Sequence, residues 1–105
     1  MELLSQEEID KALAANLTRW KQEGDELVLE LERPTFLDVI SMVQKIAEIA
    51  EIADHHPDID IRFNRLKLAL STHSEGGLTA KDLEVAGQID FLVAEAEEQA
   101  GPPAG

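Results

Sequence analysis

Histidine is the one side chain whose ordinary pKa lets it give or take a proton near neutral pH. All three histidines of this chain, His55, His56 and His73, fall between Glu51 and Asp82. His55 and His56 are adjacent and followed by Pro57; His73 comes after an extended segment and just before Gly76-Gly77. Adjacent residues at a helix end point in different directions, so the pair is suited to flank a ligand rather than to chelate one ion. Glu51 precedes His55 by four residues, one helical turn, and is expected to orient its imidazole. Asp82 is expected to close a capping box with Thr79 and so to position the loop that carries His73. The plainer alternative for His55-His56 is a polar helix terminus, where an imidazolium is favoured by the helix dipole.

Other chemistries fit less well. His-His-Pro is not the two-histidine helical spacing of metalloproteases, and without cysteine no mixed zinc site is available, so no metal is expected. Ser71, Thr72 and Ser74 lie near His73, but no strained nucleophile elbow surrounds them. What remains is general acid–base work by imidazoles on a neutral ligand, with no cofactor expected.

The elements that must position these groups can be read in order. Ser5-Gln6-Glu7-Glu8 is a capping box with Leu4 and Ile9 at the staple positions, which predicts a short helix ending near Asn16. Residues Leu17 to Gln22 and Glu26 to Glu32, separated by Gly24-Asp25, predict a hairpin; in the second run Leu27, Leu29 and Leu31 alternate with mostly acidic neighbours. Trp20 is read as core packing or as a wall of the ligand site. Thr35 caps a long helix with Asp38 three residues on, and Phe36, Val39, Ile40, Val43, Ile46, Ala47, Ala50 and Ala53 make its sheet-facing stripe. Met42, Ile49 and Ile52 widen that surface, as a subunit contact would require. The helix must stop near Asp54, because Pro57 drives His56 into an extended conformation.

A second hairpin follows, with a turn at Asn64-Arg65 and with Leu66, Leu68 and Leu70 alternating on its second strand. Strict alternation would aim His73 away from the leucine face unless the strand ends first. Thr79 to Asp82 starts the last helix, whose buried stripe is Val85, Ile89, Leu92, Val93 and Ala96. The order α-β-β-α-β-β-α predicts one α+β domain over residues 1–100, a four-stranded antiparallel sheet with helices packed on one face, followed by a mobile tail at 101–105.

Composition sets the outer bounds. The chain has 105 residues and a formal net charge of −13, which makes nucleic acid and anionic membranes poor partners. A domain this small often completes its burial by oligomerising. The first residues carry no basic flank and no long apolar run, and the protein is expected to be cytoplasmic.

The spacing itself is distinctive. Glu51, three residues, His55-His56-Pro57, five residues, Phe63, nine residues, His73, eight residues and Asp82 resemble the pattern of the pterin-4a-carbinolamine dehydratases. Phe63-Asn64, Ser71-Thr72-His73 and Gly77-Leu78-Thr79 are also similar to that family, from about Trp20 to Ile89. The departures are Phe63 where tyrosine is frequent, Arg19 where glycine is common, and Lys67 on the strand. The resemblance implies dehydration of 4a-hydroxytetrahydrobiopterin, or a related pterin, to the quinonoid dihydropterin, which recycles the tetrahydrobiopterin spent by hydroxylases. It also implies catalytic roles for His55, His56 and His73, a site lined by Pro57, Thr72, Ser74, Glu75 and Trp20, and orienting roles for Glu51 and Asp82. It implies a homodimer or homotetramer joined sheet edge to edge. The alternative on the same fold is a dimerisation partner or assembly factor.

Overall fold

A computed structural model describes the backbone of residues 2–100 and the side chains of residues 2–98. The expected mobile tail, residues 101–105, lies outside the described residues. Helix α1 spans Gln6–Ala15, strands β1 and β2 span Trp20–Glu23 and Glu26–Glu32, and helix α2 spans Phe36–Ala53. Strands β3 (Asp58–Arg62) and β4 (Arg65–Leu70) precede helix α3 (Ala80–Ala100). The four strands form one antiparallel sheet in the order β1-β2-β4-β3. This is the α+β architecture expected from the alternation of periods.

Leucines set the register between the central strands. Leu27 pairs with Leu70, Leu29 with Leu68 and Leu31 with Leu66, and directly opposed residues share a face. A one-residue slip would turn that whole set to the other face, so burial fixes the pairing. Above the leucines lie Val39, Met42 and Ile46 of α2 and Val85, Ile89 and Val93 of α3, all in one buried cluster. Each such side chain contributes about 1.5–3 kcal/mol on burial. The opposite face is polar apart from the directly paired Val28 and Ala69, and Val28, although buried, does not belong to that cluster.

Several expectations shift by a residue or a contact. The second hairpin turns at Phe63-Asn64, not Asn64-Arg65, and Phe63 adopts a φ of 54°. Asn64 decides this: its side chain donates to the Arg33 carbonyl at 3.0 Å, and its own carbonyl accepts from the Arg33 amide at 2.9 Å, which ties the turn to the end of β2. On α2, Phe36 and Ala47 are exposed, whereas Met42 is buried and Ile49 packs against the core. Only Ile52 of the three residues expected to widen that surface points to solvent. The core-facing arc is therefore rotated toward Met42, because α2 must meet α3 as well as the sheet. Among the described residues, no helix is long and apolar enough to cross a membrane.

Candidate active site

The two histidine-bearing junctions meet at one end of the sheet. Asp58 at the start of β3 pairs with Ala69 near the end of β4, so the segment before β3 and the segment after β4 emerge side by side. The hairpin between them accounts for this closeness of residues far apart in sequence.

Helix α2 ends by a change of backbone hand. Asp54 takes the left-handed conformation, with φ 52° and ψ 45°. Its amide returns to the Glu51 carbonyl at 3.2 Å, and the His55 amide reaches the Ala50 carbonyl at 3.0 Å, the paired bonds of a Schellman ending. Beyond Asp54 the helical neighbour rule no longer applies. His55 turns inward, with 12% of its side chain exposed, and His56 turns outward, with 55% exposed. Glu51 accordingly bonds the His56 ring at Nε2, and the expectation that it orients His55 is corrected.

His55 has a different partner. Its Nε2 lies 2.6 Å from Asp82 Oδ1, and Asp82 has no exposed surface. The other carboxylate oxygen, Oδ2, accepts the Thr72 hydroxyl at 2.7 Å and the Thr79 amide at 2.9 Å. A carboxylate buried this deeply is tolerable because three donors surround it. The Thr79 bond is also the helix cap foreseen in the sequence, with one change: the Thr79 side chain accepts from the Lys81 amide at 3.3 Å rather than from that of Asp82. One residue thus starts α3, holds His55 and reaches the loop after β4.

That loop is closed on itself. Thr72 and Gly77 form an antiparallel bridge, the Thr72 amide donating to the Gly77 carbonyl at 2.9 Å. Between them His73–Glu75 make a single 3-10 turn, capped by Gly76 at φ 73°, a conformation that glycine adopts without penalty. The strand ends before alternation can aim His73 away, and His73 stands exposed on this turn, adjacent to Thr72. The chain's first residues brace the loop from outside: Leu3 bridges Thr79, and the Leu4 amide donates to the Leu78 carbonyl at 2.8 Å. A Cβ at Gly77 would meet Leu3 Cδ2 at 3.1 Å, tighter than most contacts tolerate. In the sequence Leu4 carries only the signal of a helix staple, and the strap is not legible there because a two-residue bridge leaves no periodic signal.

The remaining expected site residues are distributed unevenly. Pro57 is half-buried beside His56, Ser74 is exposed on the turn, and Glu75 is half-buried with its amide on the Thr72 carbonyl at 2.9 Å. Trp20 belongs to the core, on the edge strand farthest from β3. Three strand spacings of roughly 4.8 Å separate the two edges. Its indole nitrogen is buried and has no hydrogen-bond partner. Among the described residues, no group of three or more His, Asp or Glu side chains is arranged to hold a metal ion.

Comparisons with known proteins point one way. The family model described as pterin 4 alpha carbinolamine dehydratase matches residues 2–92. A protein of Mycobacteroides abscessus is 52% identical over 93 residues, covering 89% of this chain and 98% of its own length. One from Roseiflexus castenholzii is 45% identical over 91 residues, covering 87% and 97%. Both bear provisional names as pterin-4-alpha-carbinolamine dehydratases. The crystal structure of a transcriptional coactivator/pterin dehydratase from Brucella melitensis superposes with a TM-score of 0.81 at 27% identity, over 87% of this chain and 98% of that one. A pterin dehydratase-like protein identified as a RuBisCO assembly factor in the alpha-carboxysome shares the fold, with a TM-score of 0.58 at 16% identity over 70% of this chain and 86% of that one. A match across nearly the whole chain, with relatives near half identical, establishes the kinship: this chain belongs to the pterin 4 alpha carbinolamine dehydratase family.

Proposed function

We propose that the protein dehydrates a 4a-hydroxytetrahydropterin to the quinonoid dihydropterin and water, by histidine acid–base catalysis. The observation that carries this reading is the carboxylate of Asp82, shared between His55 and the loop that presents His73. With Asp82 accepting at Oδ1, the His55 proton sits on Nε2 and the Nδ1 lone pair is left to work on a ligand. In the reaction the C4a–O bond breaks as the N5–H electrons form the C4a–N5 double bond. One imidazole takes the N5 proton and another protonates the departing hydroxyl, so water leaves with no net change in protons. Each step of this kind contributes about 10²–10⁴ in rate.

His55, through Nδ1, is the base on this reading. His56, more open and paired with Glu51, supplies the proton, and His73 binds and polarises the heterocycle. Membership of the family and the retention of all three histidines support these roles. A second reading, as an interaction or assembly protein, draws on the descriptions of the Brucella protein and of the carboxysome factor.

The experiment is stopped-flow decay of an enzymatically generated 4a-hydroxytetrahydropterin, with wild type and with His55→Ala, His56→Ala and His73→Ala. Loss of the catalysed phase in the variants is the expected outcome, with melting unchanged for the exposed His56 and His73 and lowered for His55→Ala, which leaves a buried Asp82 oxygen without its donor. Wild-type rates in all three would overturn the assignment and leave the interaction reading.

A further inference from the structure

We propose that Thr72 is a positioning residue for His55 and not a contact for the ligand. The count of protons fixes this role. A hydroxyl has one hydrogen to donate, and the Thr72 oxygen lies 2.7 Å from Asp82 Oδ2 and 2.8 Å from the Thr79 hydroxyl oxygen. A carboxylate only accepts, so the Thr72 proton must go to Asp82. The Thr79 hydroxyl must then donate to Thr72, because two oxygens 2.8 Å apart without a proton between them repel. The Thr79 oxygen meanwhile accepts from the Lys81 amide.

The result is a chain of donors with one direction: Thr79 to Thr72, Thr72 to Asp82 Oδ2, and from the far side His55 Nε2–H to Asp82 Oδ1. Its side chains come from the end of β4, the start of α3 and the end of α2, so it also fastens the two histidine-bearing junctions together. Thr79 and Asp82 have no exposed surface, whereas Thr72 is half-buried; a valine at this position keeps water out because its second methyl fills the place of the hydroxyl. Without the Thr72 hydroxyl, Oδ2 keeps only the Thr79 amide. The carboxylate plane is then less firmly held, and with it the tautomer and orientation of His55.

The ligand-free half of the test does not depend on the dehydratase reading. In protein labelled with ¹⁵N-histidine, the wild-type His55 ring is expected to show a single tautomer, with a slowly exchanging proton on Nε2. Thr72→Val, of nearly the same shape, is expected to draw the two ring-nitrogen shifts toward each other and to speed exchange of that proton about tenfold, the worth of one bond to a charged group. Thr72→Ser is expected to restore both. In turnover, Thr72→Val lowers kcat about tenfold with little change in KM, whereas a lost ligand contact would raise KM.

Wild-type ring signals in Thr72→Val, or a rise in KM alone, would overturn the proposal. If Thr72→Val fails to melt cooperatively, Thr72→Cys, a weak donor of similar size, is read by the same criteria. Altered ring signals in a protein without dehydratase activity would leave the positioning role standing and remove only the reaction.

Discussion

Replacing Asp82 by asparagine separates its charge from its shape. The buried carboxylate accepts three bonds, two at Oδ2 and one at Oδ1. An asparagine has one acceptor atom and one donor group. If the amide oxygen takes the Oδ2 position, the Thr79 cap and the Thr72 bond survive, and the NH₂ group faces His55 Nε2. His55 must then accept at Nε2 and move its proton to Nδ1, which reverses the ring. If the amide flips, its NH₂ group confronts the Thr79 N–H, and a buried donor is left unmatched at a cost of about 1–3 kcal/mol. The first arrangement wins.

Asp82→Asn is therefore expected to fold and to lose about 1–3 kcal/mol, because bonds to a charged group become bonds to a neutral one. It is expected to lose nearly the whole base contribution, about 10²–10⁴ in kcat. Urea unfolding gives the first number, stopped-flow dehydration the second, and ¹⁵N shifts of the ring the tautomer. An Asp82→Asn protein that turns over at the wild-type rate with the proton still on Nε2 would refute the reasoning.

Further outcomes follow from the same geometry. Glu51→Gln is expected to change stability by only about 0.2–1 kcal/mol, because its pair with His56 is exposed; a larger loss in chemical denaturation would mean that the pair is structural. Phe63→Gly is expected to stabilise the fold by about 1–2 kcal/mol, since a bulky side chain at φ 54° opposes the left-handed backbone and this one is 73% exposed; an unchanged or lower denaturation midpoint would contradict that. The Ser5 amide, and then the Ser5 hydroxyl, hold the Glu8 carboxyl below its ordinary value of 4.5. A depressed acid stabilises above its unfolded pKa, and that contribution is lost as pH falls through the folded value. The melting-temperature difference between wild type and Glu8→Gln is thus expected to shrink from about pH 7 to about pH 3; a constant difference would show that the charge is idle.

Much of the fold was legible because its signals are local. The Ser5–Glu8 box, the alternating leucines of both hairpins and the Pro57 stop each declare an element within a few residues. The candidate histidines and carboxylates stand out in the sequence by type and spacing, but their hydrogen-bond partners do not. Glu51 was assigned to His55 by helical spacing, and the structure gives it to His56, because the chain turns left-handed at Asp54 between them. Asp82 was recognised as a cap, yet its bond to His55 spans 27 residues and depends on how the β3–β4 hairpin returns. The Thr79–Thr72 contact was invisible for the same reason, since nothing short of the closed loop brings two hydroxyls together. Local rules end where the chain leaves regular structure, and this site is built from three such places.

The most direct trial of the account is a crystal structure of the protein with a dihydropterin bound. The heterocycle is expected to lie between the helix-end pair His55-His56 and the turn that carries His73, with the Nδ1 side of His55 against its N5 edge and Thr72 still bonded to Asp82. A ring bound elsewhere, or a His73 imidazole directed away from the other two, would contradict it.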